Sequence, residues 1–243
     1  MENKSESQNQ IPHRVKMNQA ISKIVMKKIF ISFFVVLFFL NAGGQTLTDS
    51  VAYTKGLIMI DSAKTTEDYK NAGNYFDALS SGRPNDWLAP LYAGLSYILA
   101  SRSESNGKLK DELCDKAQVY IDSAKVRHAD ISESAALQAF LYQTRIEVSP
   151  MERGLDYSMK ADAEIKKAET INSNDPRPYF LYAMNIYYTP TIFGGGKEKA
   201  LPLFEKAAEK FDAFVPEMPF MPHWGKQQNL EMIWKCKDTA ERK

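Results

Sequence analysis

One spacing recurs along this chain and constrains its fold more than anything else in it. Ala200-x3-Phe204-x2-Ala207 places two small residues and one large ring on a single face of a helix. Ala72, Phe76 and Leu79 repeat the spacing, as do Ala117, Ile121 and Ala124, and again Ala161, Ile165 and Ala168. A small residue lets a second helix approach and a large one fills the gap beside it. Four such faces in one chain predict a helical pair repeated in series, an all-α architecture of about nine helices.

The intervening sequence supplies starts and stops for those helices. Residues 49–63 read as a first helix. Thr65-x2-Asp68 has the form of a capping box for the second, which Ser81-Gly82-Arg83-Pro84 stops. Asp86 can cap a third helix from Trp87, in which Gly94 demands a reason, because a glycine inside a helix costs about 1 kcal/mol relative to alanine. Close approach of a neighbouring helix supplies one. A polar loop over 103–108 leads to helices over 110–127 and 132–147. Pro150 opens a longer stretch to Thr170 that is expected to loosen near Gly154. Asn172-Ser173-Asn174-Asp175-Pro176 is a turn. An aromatic helix over 177–189 ends at Pro190, the loop 191–196 precedes the helix over 197–211, and a proline-rich loop with Pro216, Pro219 and Pro222 precedes the last helix, to about residue 240.

The N-terminus has another character. Met26-Lys27-Lys28 is followed by twelve uncharged residues, Ile29 to Leu40, and then Asn41-Ala42-Gly43-Gly44. A basic start, a short apolar core and a small-residue exit predict a secretory signal peptide over 26–44, cleaved after Gly44. The run is short of the roughly 20 residues that span a bilayer, although a retained anchor is the alternative. Residues 1–25 are polar and aperiodic, and are expected to be disordered or an extension upstream of a natural start at Met26 or Met17. The domain is then 45–243. Residues 1–44 carry six of the 31 basic and two of the 30 acidic residues, which leaves 25 and 28 and a formal charge of −3. That balance excludes the basic footprint of a nucleic-acid binder. Cys114 and Cys236 are expected as two buried thiols, although an oxidising compartment permits a bridge.

The small-x3-large-x2-small set, with Gly94-x2-Tyr97 and Ala139-x2-Tyr142 in partner helices and Pro84 after the first unit, resembles the tetratricopeptide repeat over nearly all of 49–240. The anchor alanines lie 45, 44 and 39 residues apart, against about 34 in that family. More narrowly, the chain is similar to secreted tetratricopeptide-type proteins of Bacteroidetes bacteria. The features in common are the signal segment ending before Gln45, Pro190-x2-Phe193-Gly194-Gly195-Gly196-x3-Ala200, and Pro222-x-Trp224-Gly225. The resemblance implies a location and a fold, with no reaction attached.

In that family the first helix of each pair lines a concave groove. By register the inward positions would be Leu88, Leu91, Leu95 and Ile98, then Ala136, Phe140 and Gln143, then Arg177, Phe180, Met184 and Tyr187, with Gln228 in the last helix. The resemblance thus implies an apolar, aromatic groove with one guanidinium, suited to a protein or peptide partner in the cell envelope. The competing reading of each aromatic is core. A second function class is a periplasmic small-ligand receptor serving a transporter, with Tyr187, Tyr188, Phe193 and Arg177 around an anionic or aromatic solute.

Catalytic readings find little to stand on. Gly194-Gly195-Gly196-Lys197 fails as a phosphate loop, because Thr191 and Glu198 stand where glycine and a hydroxyl residue are needed. The loop remains a candidate anion site at a helix start. The alternative is a tight turn with Phe193 tucked beneath it. His128 and His223 are far apart in sequence, and no HExxH or CxxC occurs, so no metal, cofactor or enzymatic activity is expected. His128 is expected at its helix's final carbonyls, and His223 beside Trp224. Membrane contact is expected only through an uncleaved signal segment, and the oligomeric state is open.

Overall fold

The computed structural model describes residues 49–127, 131–217 and 219–238. The expected extension, the signal segment and His128 lie outside the described residues. Two compact units divide the chain, Met1–Ala52 and Tyr53–Lys243. Only residues 49–52 of the first are described, and they are helical.

Among the described residues the fold is nine α-helices with no strand. Helix α1 covers 49–62. It is followed by α2 (Thr66–Ser81), α3 (Leu88–Ser103), α4 (Gly107–Arg127), α5 (Ser132–Ile146), α6 (Pro150–Ile171), α7 (Pro176–Tyr188), α8 (Lys197–Ala213) and α9 (Lys226–Asp238). Within the Tyr53–Lys243 unit α3 packs on α4, α5 on α6, and α7 on α8, and α3, α5 and α7 touch in turn. This is a helical solenoid of stacked pairs.

The recurring spacing is the seam of each pair. Ala72, Phe76, Ala117, Ile121, Ala124, Ala161, Ile165, Ala168, Ala200, Phe204 and Ala207 are all buried, and only Leu79 of the set is half-covered. Gly94 has the reason expected of it. A Cβ there would meet Ile121 Cγ1 at 3.2 Å and the Ala117 carbonyl at 3.4 Å, so its absence lets α3 lie close on α4.

The caps are those that the chemistry predicts. Thr65 Oγ1 accepts from the Asp68 amide, and Asp68 Oδ2 accepts from the Thr65 amide. Asp86 Oδ1 accepts from the Leu88 and Ala89 amides. Two expectations need correction. α4 begins at Gly107, because Asn106 Oδ1 accepts from the Leu109 amide and starts the helix earlier. α6 runs unbroken through Gly154, which has open space around it and so faces no steric demand to bend. Cys114 and Cys236 are both buried, and no disulfide joins them.

Candidate functional site

The face shared by α3, α5 and α7 is where the sequence expects a groove. At its N-terminal end another part of the chain covers it, the strap 214–225 between α8 and α9. Tyr92 of α3 donates its hydroxyl to the Phe220 carbonyl at 2.8 Å. Arg177 of α7 donates Nη1–H to the Pro222 carbonyl at 2.7 Å. The Phe220 ring stacks on Tyr53 with centroids 5.4 Å apart, and Trp224 stacks on Phe140 at 5.2 Å. Two backbone carbonyls and two rings are thus seated on four helices, α1, α3, α5 and α7, much as an extended peptide would be.

Under the strap lies a buried ionic cluster. Asp175, the cap of α7, accepts from the Arg177 amide at 3.0 Å and from Arg177 Nε at 2.7 Å, and Ser132 Oγ donates to its other oxygen. Arg177 Nη2 donates to Glu133 at 3.1 Å. Burial pushes the Glu133 carboxyl above its ordinary value, and Arg177 pulls it back. Beside this cluster is a cleft of about 510 Å³, lined by Glu133, Lys206, Glu209, Lys210, Phe214 and Met221 among others. Its lining mixes three carboxylates with two ammonium groups, which selects for no single charge.

The C-terminal end of the same face is uncovered. Tyr188 is 67% exposed and meets Tyr187 edge-on at 4.9 Å. Desolvation of its packed side pushes the Tyr188 hydroxyl up, and the Arg102 charge pulls it back down. Arg102 lies 5.3 Å over the Phe140 ring and pairs with Glu147, which Lys110 also reaches at 3.4 Å. Two cations thus gather at Glu147 beside the buried Phe140 ring, and Tyr188 is the exposed ring of this end.

The expected groove residues are distributed unevenly across this arrangement. Phe140 and Met184 are buried, and Tyr187 is half-buried. Gln143 donates Nε2–H to the Leu181 carbonyl and to Asn185, and its Oε1 is buried without a partner. Phe180 turns toward Phe204 and Phe211 of α8 and is core. Arg177, expected as the groove's one guanidinium, is 1% exposed, because two carboxylates and the strap consume its donors. Gln228 is exposed on α9. The set expected around a small solute divides in the same way, with Tyr187 and Tyr188 together at the open end and Arg177 sealed at the other.

In the glycine loop the Gly194 amide donates to the Thr191 carbonyl, that of Gly195 to Pro190, and that of Gly196 to Ile186. The donors an anion would use at these three glycines are thus spent inside the loop, and α8 begins at Lys197. A Cβ on Gly195 would stand 2.2 Å from the Thr189 carbonyl oxygen. Phe193 is 76% exposed rather than tucked beneath, because Thr191–Phe193 forms a short 3₁₀ turn that carries its ring outward. His223 is exposed. Among the described residues no group of three or more His, Cys, Asp or Glu is placed to hold a metal ion. No described helix is long and apolar enough to cross a membrane.

Arg102 and Tyr92 escaped the sequence reading, since neither stands in a motif. The strap did leave a signal. Pro216, Pro219 and Pro222 recur every third residue, with Phe220 between them and Phe214 and Trp224 on either side, a stiff apolar ribbon unlike a solvent loop.

The chain matches no family model, and no curated protein matches it. Among solved structures it is similar to the HusA haemophore from Porphyromonas gingivalis, a Bacteroidetes species. The two share 32% sequence identity with a TM-score of 0.69, over 78% of this chain and 92% of that one. On that likeness the chain belongs to the family of the HusA haemophore.

Proposed function

We propose that this protein is an exported, non-enzymatic carrier of a flat, anionic, aromatic cargo of the haem class. The observation that carries the reading is the likeness to a haemophore along nearly its whole length. The uncovered end of the α3–α5–α7 face suits such a cargo. A porphyrin offers a broad π surface for Tyr188 and for the half-buried Trp224 that stacks on Phe140, and its carboxylates suit Arg102. In this reading residues 26–44 are removed on export, residues 1–25 precede the natural start, and the mature protein from Gln45 works in the periplasm or beyond it. We read the helix pairs as tetratricopeptide-like, on their shared small-large-small seams.

A protein or peptide partner in the envelope is the second reading. It has the face itself in its favour, since the strap already lies there as a peptide would. The test is a visible-absorbance titration of mature 45–243 with haem, beside an Arg102→Ala, Tyr188→Ala double variant. Saturable binding that weakens about tenfold or more in the variant, with melting unchanged, supports the cargo reading. No spectral change on mixing sinks it. Retained haem binding in the variant moves the cargo elsewhere on the protein.

A further inference from the structure

The strap does more than cover apolar surface. It leaves α8 and returns to α9 at Gly225, whose φ of 103° is open to glycine and strained for other residues. On the way Phe220 adopts a φ of 63°, a left-handed conformation that a bulky residue rarely takes. Something must hold that residue in place, and the bond from Tyr92 to its own carbonyl does so. Two residues later Arg177 holds the Pro222 carbonyl, and the same guanidinium lies 5.9 Å from the Trp224 ring. Trp224 then stacks on Phe140, the ring that Arg102 overlies at the open end. A continuous run of contacts therefore leads from the buried cluster, through the strap, to the proposed cargo wall.

We infer that Tyr92 and Arg177 are positioning residues for the cargo. They latch the strap so that Trp224 is presented as one fixed wall of the site. Neither touches the open end, and each acts through the strap. The inference rests on the cargo reading above. It carries a reciprocal consequence: if latching strengthens cargo binding, bound cargo must steady the strap by the same factor.

Tyr92→Phe is the discriminating variant, because it removes one hydroxyl and keeps the ring against Phe76. Tyr120→Phe is its control, a half-buried tyrosine stacked on Tyr97 and remote from the strap. Hydrogen exchange is followed in the peptide 219–225 of mature protein, without and with haem, and haem affinity is measured by titration. Tyr92→Phe should speed exchange in that peptide roughly five- to tenfold, the effect of one lost hydrogen bond. It should also weaken haem binding severalfold, while Tyr120→Phe changes neither. In the wild type haem should slow exchange in the strap. Unchanged strap exchange in Tyr92→Phe, or faster exchange with wild-type affinity, overturns the positioning role and leaves the cargo reading standing. Failure of the wild type to bind haem removes the cargo reading itself, and the two failures are distinct.

Discussion

The two ends of the α3–α5–α7 face carry similar residues in opposite states. At the N-terminal end Tyr92, Glu133, Asp175 and Arg177 are buried, and their polar atoms bind one another or the strap's carbonyls. At the C-terminal end Tyr188 is open to solvent, and Arg102 has a partly exposed partner in Glu147. Each end offers rings with a guanidinium beside them. The difference lies in a cover that arrives some forty residues after α7 begins. A guanidinium under the strap is a structural part, whereas one beyond it is free to exchange partners.

The two ends should respond most differently to the removal of their arginines. Arg177→Ala leaves two carboxylates buried without their cation and should cost about 3–5 kcal/mol in urea unfolding. Arg102→Ala removes a part-exposed pair and should cost no more than about 1 kcal/mol. Equal losses would erase the distinction between the ends.

The rigidity of the open end can be tested through its neighbouring loop. Gly195→Ala drives a methyl group into the Thr189 and Ile186 carbonyls and should lower stability by about 1–3 kcal/mol. An unchanged melting temperature would mean that the end of α7 gives way easily, and that Tyr187 and Tyr188 are not held in place.

A smaller effect should appear in binding. Glu147 occupies the Arg102 guanidinium that a cargo carboxylate would need. Glu147→Gln should therefore tighten haem binding about two- to fivefold in a titration at fixed salt. Weaker binding would show that the pair orients Arg102 for the cargo rather than competing with it.

The smallest expected effect is a pH dependence at the covered end. The Glu133 carboxyl is raised in the folded protein above its ordinary value of 4.5. Its folded form binds the proton more tightly than the unfolded chain does. The stability it contributes is complete below that ordinary value and is lost as pH rises through the raised one. Glu133→Gln should flatten this slope in denaturation curves taken from pH 4 upward, and an unaltered slope would assign the dependence to other groups.

How much of this was legible follows from what local sequence encodes. The seams were readable because Ala117, Ile121 and Ala124, and their three counterparts, meet within a pair of helices adjacent in the chain. The Thr65–Asp68 box and the Asp86 cap were readable for the same reason. The fate of Arg177 was not, because its partners Glu133 and Pro222 lie 44 and 45 residues away. Phe180 was misread as lining the groove because a helical stripe does not say which neighbour it meets, and here that neighbour is α8. Phe193 was misplaced because the short 3₁₀ turn sends its ring outward. Arg102 left no trace in sequence, since it gains its meaning from Phe140 and Tyr188 on other helices.

Chemical-shift mapping would locate the cargo on the protein. Isotope-labelled mature 45–243 is titrated with a diamagnetic porphyrin dicarboxylate and its amide and side-chain resonances are followed. Saturable shifts are expected to cluster on Arg102, Phe140, Tyr187, Tyr188 and Trp224. Shifts clustered instead on Lys206, Lys210 and Phe214 in the 510 Å³ cleft would contradict this cargo site, as would no saturable shift at all.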